Sequence, residues 1–359
     1  MERFGFVGLP NAGKSSLYNA LTGGSALAAP YAFATVEPNV GIAKVIDDRL
    51  PQLSALSGSK KLINATVQFL DIGGLVKGAG QGEGMGNAFL SNIRDVDLIV
   101  YVLRAFKDDD VPGDSNSMEN LEILEVELTI ADLESLTKQL DKRRKMAKTD
   151  PEIAKQLVVA EKAVEYLEKG IPLYRSDLSD KERALIKPLF MLTNKPAMAL
   201  INISEEDIGK TANDIAPDVV KHFEGVGEVL AACVQLEAEA AQLPPEERAE
   251  MLDAFELGEG ALVQFLHKAY YQLGRRTFFT TGEQETRAWT FREGYLMPEC
   301  AGVIHTDLQK GFIQADVINW KDLVDSGSWS ASRDKGLLRQ EGKTYVVEDG
   351  DVIEVRFNL

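Results

Sequence analysis

The chain has 359 residues, 45% hydrophobic and 26% charged, with a formal net charge of −17. This fits a globular protein of two or three domains and argues against binding nucleic acid with the whole surface. No apolar run reaches the ~20 residues a membrane span needs, no secretory leader opens the sequence, and the two cysteines, Cys233 and Cys300, stand far apart. A membrane protein, a disulfide framework and a cysteine metal site are therefore not expected, and a cytoplasmic location is. The histidines, His222, His267 and His305, are too scattered for a zinc site.

In chain order, Phe4-Gly5-Phe6-Val7 is an apolar run of the kind that forms a buried strand, and GLPNAGKSS follows it from Gly8 to Ser16. The spacing matches G-x-x-x-x-G-K-[ST], and Ser15 to Leu21 reads as the helix after the loop. Glycines let backbone N–H groups wrap a phosphate chain, and a helix N-terminus faces it. Lys14 is expected on the β- and γ-phosphates and the Ser15 hydroxyl on Mg²⁺, with Asn11, Ala12, Gly13 and Ser16 as further loop contacts. Asn11 also stands where some GTPases use asparagine to hold K⁺, which makes K⁺ a candidate second cation.

Thr35 in FATVEPNVG lies between the two phosphate motifs and is the candidate switch threonine on Mg²⁺. Thr66 to Leu70 reads as a strand ending in Asp71, which opens DIGGLVKGAGQGEGMGN. This fits D-x-x-G, with Asp71 on Mg²⁺ and the Gly74 N–H on the γ-phosphate. Leu75 follows, where Ras-like enzymes place a water-orienting glutamine, so slow basal hydrolysis is expected. Leu98 to Leu103 has the continuous apolar character of a buried parallel strand.

From about Met118 the pattern turns helical. Leu133, Leu136 and Leu140 recur at helical spacing, as do Ile153, Leu157, Ala160, Val164 and Leu167. Asp150 suits an N-cap and Pro151 the first helical position, and Ser179 to Glu182 reads as a capping box. Near the tip of this expected hairpin, Lys138, Lys142, Arg143, Arg144, Lys145 and Lys148 crowd one segment, either a solvated helix end or an anion-binding tip.

Strands resume at Ala197–Ile201 and, more weakly, at Glu228–Ala232. Together these segments predict a doubly wound α/β sheet with an inserted helical hairpin. After Gln272 the segments shorten into a β-rich domain, with strands expected at Val303–His305, Phe312–Val317, Thr344–Val347 and Val352–Phe357.

Two asparagines could read a base. Asn194 begins NKPA, which precedes its strand and lacks the carboxylate of a guanine-reading N-K-x-D. Asn202 begins NISE directly after the strand; it lacks the lysine and carries Glu205 in place of aspartate. A carboxylate gains nothing from adenine N1, whereas an asparagine amide can pair with adenine N6 and N7. Asn202, with Ile203 and Glu205, is the expected base reader, ATP the main ligand and GTP the weaker one. A helix cap is the plainer role open to Asn202. Cys233, Val234 and Gln235 are expected to form the last base-facing loop.

GLPNAGKSS, FATVEPNVG, DIGGLVKGAGQGEGMGNAFLSNIRDVD and RAWTF, AGVIHTDLQKGFIQADV and VVEDGDVIEVRF in the C-terminal part together resemble the YchF family, the Obg-like ATPases. The resemblance covers nearly the whole chain, and the C-terminal part is similar to ubiquitin-like (β-grasp) TGS domains. It implies a P-loop NTPase that hydrolyses ATP or GTP and associates with the ribosome, on its large subunit. The implied domains are 1–118 with 196–277 for nucleotide, 119–195 for the helical insertion and 278–359 for the TGS part. The hairpin tip and the TGS part are the expected contacts to ribosomal RNA. Family members commonly carry a histidine after the fourth strand, but Asp108–Gly113 has none, which leaves the water-activating group unassigned. Ala12 and Ser16 stand where Val and Thr are frequent. An Obg-type GTPase switch and a nucleotide-sensing RNA-binding module without turnover are the alternatives.

Overall fold

The computed structural model describes residues 1–22, 40–70, 93–107 and 115–358, and elements are numbered here in chain order among these. Thr35, Asp71, Gly74 and the Asp108–Gly113 loop lie outside the described residues. Two compact units emerge: Met1–Ala43 with Val67–Phe265, and Lys44–Thr66 with Leu266–Leu359. The segment Lys44–Thr66, grouped by sequence with the nucleotide domain, thus clusters with the C-terminal part.

Strand β1 (Arg3–Val7) leads into helix α1 (Lys14–Thr22), and β2 (Val40–Val45) follows. Helix α2 (Arg49–Ser57) and the short β3 (Leu62–Ile63) belong to the second unit. The first unit continues with β4 (Ala65–Leu70) and β5 (Leu98–Arg104), all seven residues of which are buried. Helices α3 (Ser117–Met146), α4 (Pro151–Glu168) and α5 (Asp180–Ile186) precede β6 (Ala197–Asn202). Short helices α6 (Ala212–Ile215) and α7 (Pro217–His222) lead to β7 (Val229–Ala232), and α8 (Val234–Ala240), α9 (Pro245–Ala254) and α10 (Ala261–Gln272) close the run.

The first sheet has the order β2-β4-β1-β5-β6-β7. Strands β4, β1, β5, β6 and β7 are mutually parallel, as the continuous apolar runs predict for strands covered on both faces. The carboxyl ends of β1, β5, β6 and β7 therefore fall on one edge, where open α/β sheets bind ligands.

Helix α3 has two jobs along its ~45 Å, taking 1.5 Å per residue. Leu121, Leu124 and Leu128 pack under the sheet beside Tyr101 and Leu103. Further along, Leu136 and Leu140 meet Val159, Ala160, Ala163 and Leu167 of α4. The α4 seam is rotated from the expected one: Ala160 and Leu167 are buried, Leu157 and Val164 sit at its margin, and Val159 and Ala163 fill the centre. Asp150 caps α4 by accepting the Glu152 and Ile153 N–H groups, with Pro151 at the first turn. Ser179 and Glu182 form the reciprocal capping box on α5.

The second unit continues with β8 (Arg275–Thr281), β9 (Thr286–Arg292), α11 (Met297–Ile304), α12 (Thr306–Lys310), β10 (Phe312–Asn319), α13 (Trp320–Ser326), α14 (Trp329–Asp334), β11 (Arg339–Glu341) and β12 (Asp351–Phe357). Its sheet order is β11-β10-β12-β8-β9-β3, with β12 and β8 parallel at the centre. Helix α11 lays Met297, Cys300 and Ala301 against Phe278, Phe291, Ala315, Val317 and Ile353. A hairpin, a crossing helix and a central parallel pair make this the β-grasp arrangement. Leu50 and Leu53 of α2 are fully buried, and Arg49 bonds Asp349 at 2.6 Å and stacks over Phe279 at 5.0 Å.

Two expected strands differ. Val303 and Ile304 end helix α11 and His305 follows as its cap, because Pro298 and Glu299 start a helix that carries the apolar run with it. Thr344–Val347 makes a single bridge, Val346 to Leu296, with its backbone spent on Tyr295 and Met297.

Candidate functional site

A cavity of about 1170 Å³ opens at the carboxyl ends of β1, β5, β6 and β7, and all of its lining comes from the first unit. Asn11, Gly13, Lys14, Ser15 and Ser16 line it together with Asn202, Ile203, Glu205, Cys233, Val234 and Gln235. Residues that the sequence separates by about 190 positions thus share one cleft. Ala12 is buried within the loop, and its carbonyl accepts from the Asn202 side chain.

The loop conformation follows from its residues. Asn11 sits at φ 62 and Gly13 at φ 97, both in the left-handed region. A Cβ on Gly13 would lie 2.3 Å from Asn202 Nδ2, so only glycine admits the approach of these two segments. The Lys14 ammonium donates to the Leu9 carbonyl at 2.8 Å and is nearly buried. Ser15 and Ser16 are exposed in the first turn of α1. Lys14 and the start of this helix make the cleft electropositive beside the loop, which suits phosphate.

The Asn202 side chain is a clasp. Its Nδ2 donates to the Ala12 carbonyl at 3.1 Å, and its Oδ1 accepts the Val234 N–H at 3.2 Å. One amide therefore ties the phosphate loop to the start of α8. This uses one of its two N–H hydrogens and one oxygen lone pair. The remaining N–H fits a ring acceptor, and adenine and guanine both offer N7. Base choice thus rests on the surrounding loop as much as on Asn202.

That loop is acidic. Glu205–Asp207 forms a turn of 3₁₀ helix, with Glu205 and Glu206 exposed and lining the cleft. Lys210 donates to Asp207 at 2.6 Å and holds its carboxyl below the usual range. Burial pushes the Cys233 thiol up, so it faces the cleft as a neutral group.

Asn194 is elsewhere: its Nδ2 donates to the Arg183 carbonyl at 3.1 Å, and Lys195 bonds the carbonyls of Arg94 and Val96. NKPA is thus spent on holding the segment before β6. Sequence reasoning missed Ala105, Phe106, Lys107, Ser115 and Gln242, which also line the cleft. Phe106 is braced by the Arg104 guanidinium, 4.4 Å from its ring, whose Nε donates to its carbonyl at 3.0 Å. The signal was available: residues just after a buried parallel strand stand at the ligand edge.

Among the described residues no cluster of His, Cys, Asp or Glu could hold a metal, and no helix is long and apolar enough to cross a membrane. Ser15 is the one expected Mg²⁺ ligand that is described, and it lines the cleft. The other two expected ligands, Thr35 and Asp71, lie outside the described residues; by residue type all three are hard-oxygen donors of the kind Mg²⁺ takes beside phosphates.

A family model described as 50S ribosome-binding GTPase matches residues 3–140, and the YchF-GTPase_C model, described as a protein of unknown function, matches residues 276–358. The chain is 41% identical to the ribosome-binding ATPase YchF of Bacillus subtilis, over 99% of both chains. Its identity to the protein of the same name from Escherichia coli O157:H7 is 40%, again over 99% of both. The solved structure of the Schizosaccharomyces pombe YchF GTPase superposes with a TM-score of 0.84 at 34% identity, covering 99% of this chain and 97% of that one.

Proposed function

Because the chain belongs to the YchF family of P-loop NTP hydrolases, we propose that it is a ribosome-associated ATPase whose nucleotide state controls docking. The observation that carries this reading is the Asn202 clasp, which brings Lys14 and Ser15 into one cleft with the Asn202–Asp207 and Cys233–Gln235 segments. Phosphates lie at the α1 end, against the loop N–H groups and Lys14, and the base lies at the Asn202 end. ATP is preferred and GTP binds less well. NISE supplies no lysine to pack over a base, and its Glu205 is exposed at the rim.

Ser15, Thr35 and Asp71 would hold Mg²⁺, which neutralises charge on the β- and γ-phosphate oxygens when bound. The Gly74 N–H meets the γ-phosphate, and Lys14 neutralises charge that develops during transfer. Asn11 is the candidate K⁺ ligand. Basal turnover is slow, because Leu75 stands where a water-orienting glutamine would be.

The ribosome, through its large subunit and its RNA, is the partner in the cytoplasm, and the hairpin tip and the β-grasp unit are the contacts. At the tip, Arg143 bonds Gln156, Arg144 pairs with Glu161 and Asp141, and Lys138 reaches Glu134 at 3.9 Å. Lys142, Lys145 and Lys148 are exposed and form no ion pair among the described residues, which leaves them to an external phosphate. The similarity of residues 3–140 to 50S ribosome-binding GTPases supports GTP as a second substrate.

Turnover and pelleting measured together test the reading. ATP hydrolysis should be slow alone, rise with ribosomes, and accompany nucleotide-dependent co-sedimentation. Absence of ATP turnover in both conditions, with ribosomes pelleted regardless of nucleotide, would leave only an RNA-binding module.

A further inference from the structure

The second unit has a groove of about 790 Å³ whose lining comes entirely from that unit. It begins where the sheet splits. Strand β12 pairs with β10 from Asp351 to Phe357, but with β8 only at Val352↔Phe279. Thr280 and Thr281 of β8 and the stretch of β12 from Ile353 then line the groove from both sides of the split. Beyond Val352, β12 has no strand partner on its β8 side among the described residues. An edge of this kind is a template for another strand.

The side chains around the split are of two kinds. Trp289, Trp329 and Phe357 supply apolar surface, and Phe357 is 46% exposed. The charged lining residues are Glu283, Glu285 and Glu354, with no basic residue among them. The molecule already shows how a cation sits there. The Arg287 guanidinium lies 4.3 Å from the Trp289 ring and reaches Glu285 at 3.8 Å.

We propose that this groove docks an extended polypeptide segment that alternates lysine or arginine with apolar residues and adds as a strand beside β12. The open edge gives main-chain hydrogen bonds, the aromatic side chains take the apolar residues, and Glu283 and Glu354, which form no ion pair among the described residues, select cations alongside Glu285, which Arg287 already reaches. The same carboxylates repel a phosphate chain, so this face of the β-grasp unit reads protein and not RNA. The inference stands apart from the nucleotide reading, and its test needs no nucleotide.

The probe is a fluorescein-labelled octapeptide of alternating lysine and leucine, titrated by anisotropy into the full-length protein at physiological salt. Glu283→Lys, Glu285→Lys and Glu354→Lys combined should weaken binding about tenfold or more. Glu246→Lys, Glu247→Lys and Glu250→Lys, exposed on α9, make the same charge change elsewhere and should stay within about twofold of wild type. Phe357→Ser, which adds no charge, should weaken binding several-fold, and circular dichroism melts confirm that each variant folds. N-methylation of alternate peptide residues should abolish binding if a strand is added. Equal losses in the two charge variants would reduce the effect to net charge and overturn the site. So would tighter binding of an oligouridine RNA than of the peptide, or concentration-dependent self-association that the groove variant removes.

Discussion

The Asn202 carboxamide engages Ala12 and Val234 at the same time, so its loss affects the cleft before any base enters. Asn202→Ala leaves a carbonyl and an N–H without their partner and should weaken ATP and GTP alike, by about 1–3 kcal/mol. Calorimetry with both nucleotides checks this, and a loss confined to ATP would make Asn202 a base reader only. Asp132 gives a second test at this scale. It accepts the Leu192 and Thr193 N–H groups and the Thr193 hydroxyl, each at 2.7 Å, and fixes the segment before β6. Burial nonetheless pushes its carboxyl from 3.8 up to about 6. A raised carboxyl pKa means the native state holds the proton more tightly. The contribution is full below about pH 4 and is lost as pH rises through about 6, ~3 kcal/mol at most. Asp132→Asn lacks this titration, so the stability gap between wild type and variant should narrow from pH 4 to pH 7 in urea melts. A gap that widens would mean that the three donors outweigh burial.

At the scale of elements, sequence reading succeeded where a pattern was local. Asp150-Pro151, Ser179-Asp180-Lys181-Glu182 and the apolar run of β5 each carry their own cause, and each appears as read. It failed where the partner was distant. Val303 and Ile304 favour a strand by themselves, but the cap upstream makes them helical. Nothing local says that α2 belongs with β8 and β9, because Leu50 and Leu53 find their cover more than 200 residues away, as the Thr281 bond to the Leu53 carbonyl records. In the site, the loop motif was legible from spacing and Phe106 from its place just after β5, whereas Gln242 depended on where α8 lies in the fold. The hairpin allows two separable changes. Leu140→Ala, in the α3–α4 seam, should cost about 2–5 kcal/mol in a thermal or urea melt. Lys142→Glu, Lys145→Glu and Lys148→Glu together break no ion pair among the described residues and should leave the melt within about 0.5 kcal/mol. They should nevertheless reduce ribosome pelleting and flatten its salt dependence. Pelleting equal to wild type across a salt series would make the tip a solvated helix end.

For the whole molecule, the division into units sets what can be removed. A chain cut after Thr277 keeps α2 and β3 but loses β9, which pairs with Leu62 and Ile63, and most of the sheet above Leu50 and Leu53. Such a truncation should aggregate or melt well below the full chain, with exposed apolar surface detected by dye binding. A truncated protein as stable as the full chain would mean that Lys44–Thr66 folds without the C-terminal part. Net charge of −17 also matters at this scale, since a docking surface on an acidic protein must be local, whether for phosphate at the hairpin or for cations at the split sheet.

Everything proposed for the nucleotide follows from a cleft under the Asn202 clasp that takes ATP in preference to GTP. Titration calorimetry of the wild-type chain with ATP and GTP, side by side with Mg²⁺ and K⁺ present, tests it most directly. ATP should bind more tightly, by about tenfold or ~1.4 kcal/mol. Equal affinities, or a preference for GTP, would contradict it.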